Sequence, residues 1–236
     1  MKSSLEGVPY PPIEILFEDD DLLVFNKPAG LRVIRDGYRP DLPTVPLMLE
    51  APFGRVFIVH RLDKDTSGVL IIARNAFSHK NLNDQFSDRL VNKEYHAVVI
   101  SLDEFPQTLV VDQPLLVDGD RRHRTRVDPL RGKPALTEFS LITQFSRSAL
   151  VKAFPTTGYT HQIRAHALCA GYPLLGDSLY AFPVKRDKQS SGGFNFTRPA
   201  LHAFTIRFHH PRTSAPLVFT AEYPPDFTDL LTHLKE

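Results

Sequence analysis

A single cysteine, Cys169, rules out any disulfide framework within the chain and suits a reducing compartment. Net charge is equally scarce, since 28 lysines and arginines face 27 aspartates and glutamates and leave only +1. A molecule with so little overall field binds nucleic acid through local basic clusters or not at all. No apolar run approaches the roughly 20 residues needed to span a bilayer, and the opening stretch MKSSLEGVPY lacks the apolar core of a signal peptide. No segment repeats, no long linker separates two halves, and the regular strand-helix alternation of a doubly wound sheet is missing. These absences point to a cytoplasmic protein with no membrane attachment and no evident obligate protein partner.

What is present suffices for a full core, because 42% of the 236 residues are hydrophobic. The patterning predicts one α+β domain over residues 13–236, built on a largely antiparallel or mixed β-sheet with flanking helices and loops, after a polar arm over residues 1–12. Ile13 to Phe25 reads as two short strands around the acidic turn Asp19, Asp20 and Asp21. A tight turn at Lys27 to Gly30, a loop from Arg35 to Pro46 and a short helix around Leu47 to Glu50 follow. Val56 to Val59 and Val69 to Ala73 are strands, and Ala76 to Asp88 has helical spacing through Phe77, Leu82 and Phe86. Lys93 to Ile100 is a strand with Tyr95, Ala97 and Val99 on one face and His96, Val98 and Ile100 on the other. Lys133 to Thr143 pairs with Ala149 to Phe154. Thr160 to Ala170 is a helix capped by Thr160, ended by Gly171 and projecting Arg164, and Leu201 to Phe208 and Leu217 to Tyr223 are the closing strands.

Between the strands 56–59 and 69–73 lies a polar stretch, His60, Arg61, Leu62, Asp63, Lys64, Asp65, Thr66, Ser67 and Gly68. Burying such a backbone would cost hydrogen bonds, so the loop belongs at a rim or cleft, where a rigid scaffold presents a carboxylate to a ligand. Asp63 is the candidate carboxylate. The competing structural reading makes these residues an Asx-turn with Gly68 at positive φ.

Positive charge is concentrated in two places. Arg121, Arg122, Arg124 and Arg126 lie within six residues around His123, flanked by acids; Lys185, Arg186 and Lys188 sit in a long Ser- and Gly-bearing loop. Both are candidates for holding the phosphates of a polyanionic partner, with His161, on the same side of its helix as Arg164, as a further contact. No metal site is expected: His161 and His166 are five apart, off the i, i+4 face that two helical ligands use, and Cys169 has no partner cysteine. His202, His209 and His210 read as satisfying backbone or packing needs.

Six stretches in order make a more specific pattern: EDDDLLVFNKPAGL, HRLDKDTSGVLIIA, the KEY strand, GKPALTEF, THQIRAHALCAGYPLLGDSLY and LHAFTIRFHHP. Together they resemble the RluA-type pseudouridine synthases, which isomerise uridine in structured RNA. The resemblance places the family's catalytic aspartate on Asp63, its neighbouring arginine on Arg61, its active-site tyrosine on Tyr95 and the helix arginine that pairs with the aspartate on Arg164. It departs where Tyr159 stands in place of a usual arginine and Ala181 in place of a common glycine, and no S4 RNA-binding module precedes the pattern. It implies a pseudouridine synthase fold, an rRNA or tRNA stem-loop as substrate and no cofactor. Nothing is oxidised and no group leaves, so the reaction needs a carboxylate nucleophile, a cation to aim it and a base for the C5 proton. Two rival readings are an inactive RNA-binding protein of the same fold and an aspartyl phosphatase, suggested by setting Asp63, Lys64, Asp65 and Thr66 against a D-x-D-x-T pattern, and disfavoured by the missing βα alternation.

Overall fold

The computed structural model describes residues 13–35, 42–181 and 195–236, and the chain divides into two compact units. The first comprises the chain up to Lys93 together with Ala203–Glu222; the second comprises Glu94–His202 and Tyr223–Glu236.

In the first unit, strands β1 (Glu14–Glu18) and β2 (Leu22–Lys27) form the expected antiparallel hairpin. Its acidic turn is built by hydrogen bonds: Asp19 Oδ1 accepts the backbone N–H groups of Asp21 and Leu22, both at 2.8 Å. Arg212 forks onto Asp21 with two 2.6 Å contacts, and this hydrogen bonding, opposed by burial, holds the Asp21 carboxyl far below the usual carboxylate range. Strand β4 (Ser67–Ala73) is buried at every residue and pairs antiparallel with β2 and with the two-residue β3 (Phe57–Ile58). Strand β11 (Leu201–His209) follows β4 in the sheet and pairs with β12 (Pro216–Thr220). Helix α1 (Val45–Phe53) is longer than expected, starting after Thr44 with a proline in its first turn. Helix α2 (Ala76–Ser87) begins at Asn75, whose Oδ1 accepts the Ser78 N–H at 2.9 Å, and it seats Leu82 against Leu22, Val24, Val69 and Ile71.

In the second unit, β5 (Asn92–Ile100), β10 (Ser148–Pro155), β9 (Leu136–Gln144) and β6 (Thr108–Asp112) lie side by side, all antiparallel. The two faces of β5 divide as the spacing predicts. Ala97 and Val99 enter a core with Phe139, Ile163 and Leu174, against which Tyr95 packs, whereas Val98 joins Phe145, Leu175, Phe227 and Leu230. Helix α3 (Gln162–Cys169) contributes Ile163 and Ala167 to the first core, and α4 (Pro225–His233) contributes Phe227 and Leu230 to the second. A short hairpin joins β7 (Leu115–Leu116) to β8 (Arg126–Val127). The α+β class with antiparallel strands and flanking helices is therefore as expected. No helix among the described residues is long and apolar enough to cross a membrane.

Candidate active site

The loop that carries Asp63 is fixed at its entrance by an imidazole standing in for backbone. Strand β3 stops at Ile58, one residue short of the expected end, and the Ile71 N–H is then accepted by His60 Nε2 at 2.9 Å. The ring stacks on Phe86 at 4.8 Å between centroids. Burial, reinforced by the charge of Lys93, pushes the His60 imidazole down to about 3, so it is neutral and keeps its acceptor lone pair.

A pH dependence of stability follows. An unfolded His60 binds its proton near the ordinary 6.5, whereas the folded residue resists protonation to about 3. The unfolded state therefore holds the extra proton across that window; stability is fully present above about 6.5 and lost as pH falls, with a limiting slope of about 1.4 kcal/mol per pH unit. Urea unfolding of the wild type and of His60→Gln across this window should give curves that converge on acidification. Burial also depresses His96 and His166, but these remain in both proteins and cancel. Parallel curves would remove His60 from the acid response.

The backbone of the loop is tied down on both sides of Asp63. Leu62, Thr66 and Ser67 are buried, Asp63 is half-buried, and Arg61 and Lys64 are exposed. The Thr66 N–H donates to the Asp63 carbonyl at 3.1 Å. The Lys64 carbonyl accepts both the Gly30 N–H at 2.9 Å and Lys27 Nζ at 3.0 Å. Lys27 is fully buried, and its ammonium also donates to the Pro28 and Leu31 carbonyls, each at 2.9 Å. A buried ammonium with three carbonyl acceptors satisfies the requirement that buried charge be hydrogen-bonded, and it fixes the residue next to Asp63. Sequence reasoning reads Lys27 to Gly30 only as a turn, and no local pattern distinguishes this buried lysine from the exposed one a turn ordinarily carries.

Helix α3 departs from expectation at its start and in the placement of its arginine. Thr160 is not the cap. The N-cap is His161, in the left-handed conformation at φ 56° and without a side-chain cap bond. The local polar groups are served by Gln162, whose Oε1 accepts from Tyr159 N–H at 3.2 Å and from Thr157 Oγ1 at 2.6 Å. Arg164 does not project outward either: it is 7% exposed and forms a two-pronged pair with Asp177, Nε to Oδ2 at 2.6 Å and Nη2 to Oδ1 at 2.9 Å. Asp177 was not singled out from the sequence, although it lies within the GDSLY run. Tyr95 is half-buried on β5, in register with Ala153 of β10.

The first basic cluster is less uniform than its sequence suggests. Arg124 is half-buried and paired with Asp120, Nε to Oδ2 at 2.7 Å, and Arg126 lies 3.5 Å from Asp128. Arg121 and Arg122, in the loop between β7 and β8, are exposed. His161 is half-buried, with Nδ1 3.1 Å from the Tyr180 hydroxyl. Lys185, Arg186 and Lys188 lie outside the described residues. Both ring nitrogens of His166 are engaged, by Thr137 Oγ1 at 2.8 Å and the Gln113 carbonyl at 3.0 Å, which suits a packing role.

Comparison with known proteins identifies the family. A family model described as RNA pseudouridylate synthase matches residues 21–168. The chain is 36% identical over 236 residues to ribosomal large subunit pseudouridine synthase D of Haemophilus influenzae, covering 95% of this chain and 71% of that protein. It is 38% identical over 232 residues to ribosomal large subunit pseudouridine synthase C of Pasteurella multocida, covering 94% of this chain and 68% of that protein. The solved structure of human RNA Pseudouridylate Synthase Domain Containing 4 matches with a TM-score of 0.77 at 25% identity, over 94% of this chain and 92% of that one.

Proposed function

The chain belongs to the RNA pseudouridylate synthase family, and from that premise we propose that Asp63 is its nucleophile and a uridine in structured ribosomal RNA its target. The resemblance drawn from six motifs is borne out, and the reaction is the isomerisation of uridine to pseudouridine. The N1 to C1' bond breaks, the base turns, C5 joins C1', and the C5 proton leaves while N1 gains one, so atoms balance without a co-reactant. The inactive-binder and phosphatase alternatives are not favoured. In the phosphatase case there is also a physical reason: Asp63 lies in a loop between the antiparallel strands β3 and β4, not at a strand tip in a βα unit.

The observation that carries the assignment is the contrast within one loop. Its backbone is held by Lys27, Gly30 and Thr66, and Leu62, Thr66 and Ser67 are buried, while Asp63 stays half-exposed. A carboxylate fixed in this way needs little reorganisation to attack, which is what a preorganised nucleophile requires. The roles of the other positions rest on the motif correspondence: Arg164 as the cation that keeps the nucleophile charged, Tyr95 as acceptor of the C5 proton, and Arg61, exposed two residues before Asp63, as a wedge or phosphate clamp while the uridine leaves its stack. We place the reaction in the cytoplasm, on a stem-loop.

The decisive test is release of tritium from RNA labelled at uridine C5, because product and substrate have equal mass. Sustained release above a protein-free blank is expected; none from large-subunit ribosomal RNA would sink the choice of substrate.

Binding of that RNA is assigned to Arg121, Arg122, Arg126, His161 and the Lys185, Arg186 and Lys188 group, with Arg124 serving the protein through Asp120. Each phosphate contact on a single strand contributes about 0.7 to the slope of log affinity against log salt. Arg121→Ala with Arg122→Ala should therefore flatten that slope by about 1 to 2, whereas Arg124→Ala should alter it far less. An unchanged slope in the double variant returns the cluster to ordinary surface.

A further inference from the structure

The environment of Arg164 is more constrained than charge neutralisation alone requires. Nε and Nη2, two donors on one edge of the guanidinium, both engage Asp177, whose side chain is fully buried. Because the group is planar, fixing two donors on one edge also fixes the direction of Nη1. The face of the group is fixed as well, since its central carbon lies 4.8 Å from the centre of the Tyr180 ring. Asp177 sets that ring in place too: its Oδ1 accepts the backbone N–H groups of Leu179 at 3.0 Å and Tyr180 at 3.1 Å.

The other end of Tyr180 reaches the arginine-bearing hairpin. Its hydroxyl accepts the Thr125 N–H at 2.7 Å, and Thr125, itself buried, donates from Oγ1 to the Thr160 carbonyl at 2.6 Å. Thr125 immediately precedes β8 and ends the loop that displays Arg121 and Arg122. Arg124 adds a weaker tie, donating to the Leu179 carbonyl at 3.4 Å. One aromatic side chain thus touches the guanidinium with its ring and closes the basic loop with its hydroxyl.

We propose that Asp177 and Tyr180 are positioning residues that aim Arg164 and tie its orientation to the RNA-binding hairpin. The proposal rests on the reading of Arg164 as part of the catalytic apparatus. A salt bridge kept only for stability needs neither an aromatic on the guanidinium face nor a residue shared with the basic loop. The two halves of the device separate in kinetics. Asp177→Asn puts an amide donor against a guanidinium donor and misaims Arg164 while leaving the hairpin anchored. Tyr180→Phe keeps the ring and its contact but leaves the Thr125 N–H without its acceptor, loosening the hairpin.

The test uses the full chain and transcribed large-subunit ribosomal RNA carrying tritium at uridine C5, with RNA affinity measured by filter binding. Asp177→Asn is expected to lower kcat at least about 30-fold with KM within about twofold, and Tyr180→Phe to raise the RNA Kd about fivefold, roughly the loss of one net hydrogen bond. A change in melting temperature alone, with kcat and Kd as in the wild type, overturns the proposal. So does an Asp177→Asn protein whose only kinetic defect is a higher KM. Should Asp177→Asn fail to fold, Tyr180→Phe decides, and a wild-type Kd overturns the link to the hairpin. Arg164→Lys, assayed alongside, separates this inference from its premise: wild-type turnover there removes Arg164 from catalysis, whereas an inactive Arg164→Lys beside a fully active Asp177→Asn overturns the positioning role only.

Discussion

Asp63→Asn is expected to lower tritium release from C5-labelled RNA by more than about 10³-fold, the scale on which removal of an enzyme nucleophile acts, while RNA affinity changes by less than about twofold. The amide has the size and shape of the carboxylate but lacks the charge and the attacking lone pair of an anion. The fold should barely respond. The loop is held by Lys27 on the Lys64 carbonyl, by the Gly30 N–H and by the Thr66 N–H on the Asp63 carbonyl, and these are unaffected when one side-chain oxygen becomes an amide nitrogen. Loss of turnover with retained binding and an unchanged melting temperature is thus the signature of a chemical role. A variant with substantial activity would falsify the assignment, and one that had lost RNA binding as well would move Asp63 from chemistry to recognition.

How much of this was legible in the sequence depended on the range of the contacts. The β1–β2 hairpin, α2 and both faces of β5 follow from periodicity and local turn chemistry, because Asp19 and Asn75 make their capping bonds two or three residues away. The end of β3 was misplaced because its cause is distant: the ladder position after Ile58 is filled by the His60 ring, and nothing in the strand pattern says that a side chain will replace a backbone acceptor. Thr160 has the right residue type for a cap, but Gln162 meets the local polar groups by reaching to Thr157 and to the Leu136 carbonyl, 26 residues away. In the candidate site the motif led to Asp63 and Arg164 but not to the partners that hold them. Lys27 acts on the Lys64 carbonyl across 37 residues, and Asp177 reaches Arg164 across 13 residues, separations that no helical or strand period encodes. The arginine run looked uniform in sequence and is not, because Asp120 captures Arg124 and leaves Arg121 and Arg122 exposed.

Gly68→Ala should be the most damaging single methyl group in the catalytic motif, costing more than about 4 kcal/mol, at the upper end of point-mutation effects. Gly68 has φ +117°, and a Cβ built on it would lie 2.2 Å from the carbonyl oxygen and 2.6 Å from the nitrogen of Ala203 on β11. Those are backbone atoms, and a Cβ has no rotamer by which to avoid them. Relief requires β4 to move away from β11, which also disturbs the pairing of Gly68 with Lys27 on β2. Against a total stability of about 5–15 kcal/mol for a typical domain, such a loss should leave little folded protein. Gly54→Ala separates the two sources of strain, because Gly54 also has positive φ, +70°, but nothing lies within 4 Å of its added Cβ. That variant should cost about 1–3 kcal/mol, the dihedral penalty alone at φ 70° and ψ −158°. Urea unfolding of the two proteins therefore reads the steric part by difference. If Gly68→Ala proves no worse than Gly54→Ala, β4 and β11 do not approach so closely, and the end of the Asp63 loop is not pinned in the way a preorganised nucleophile demands.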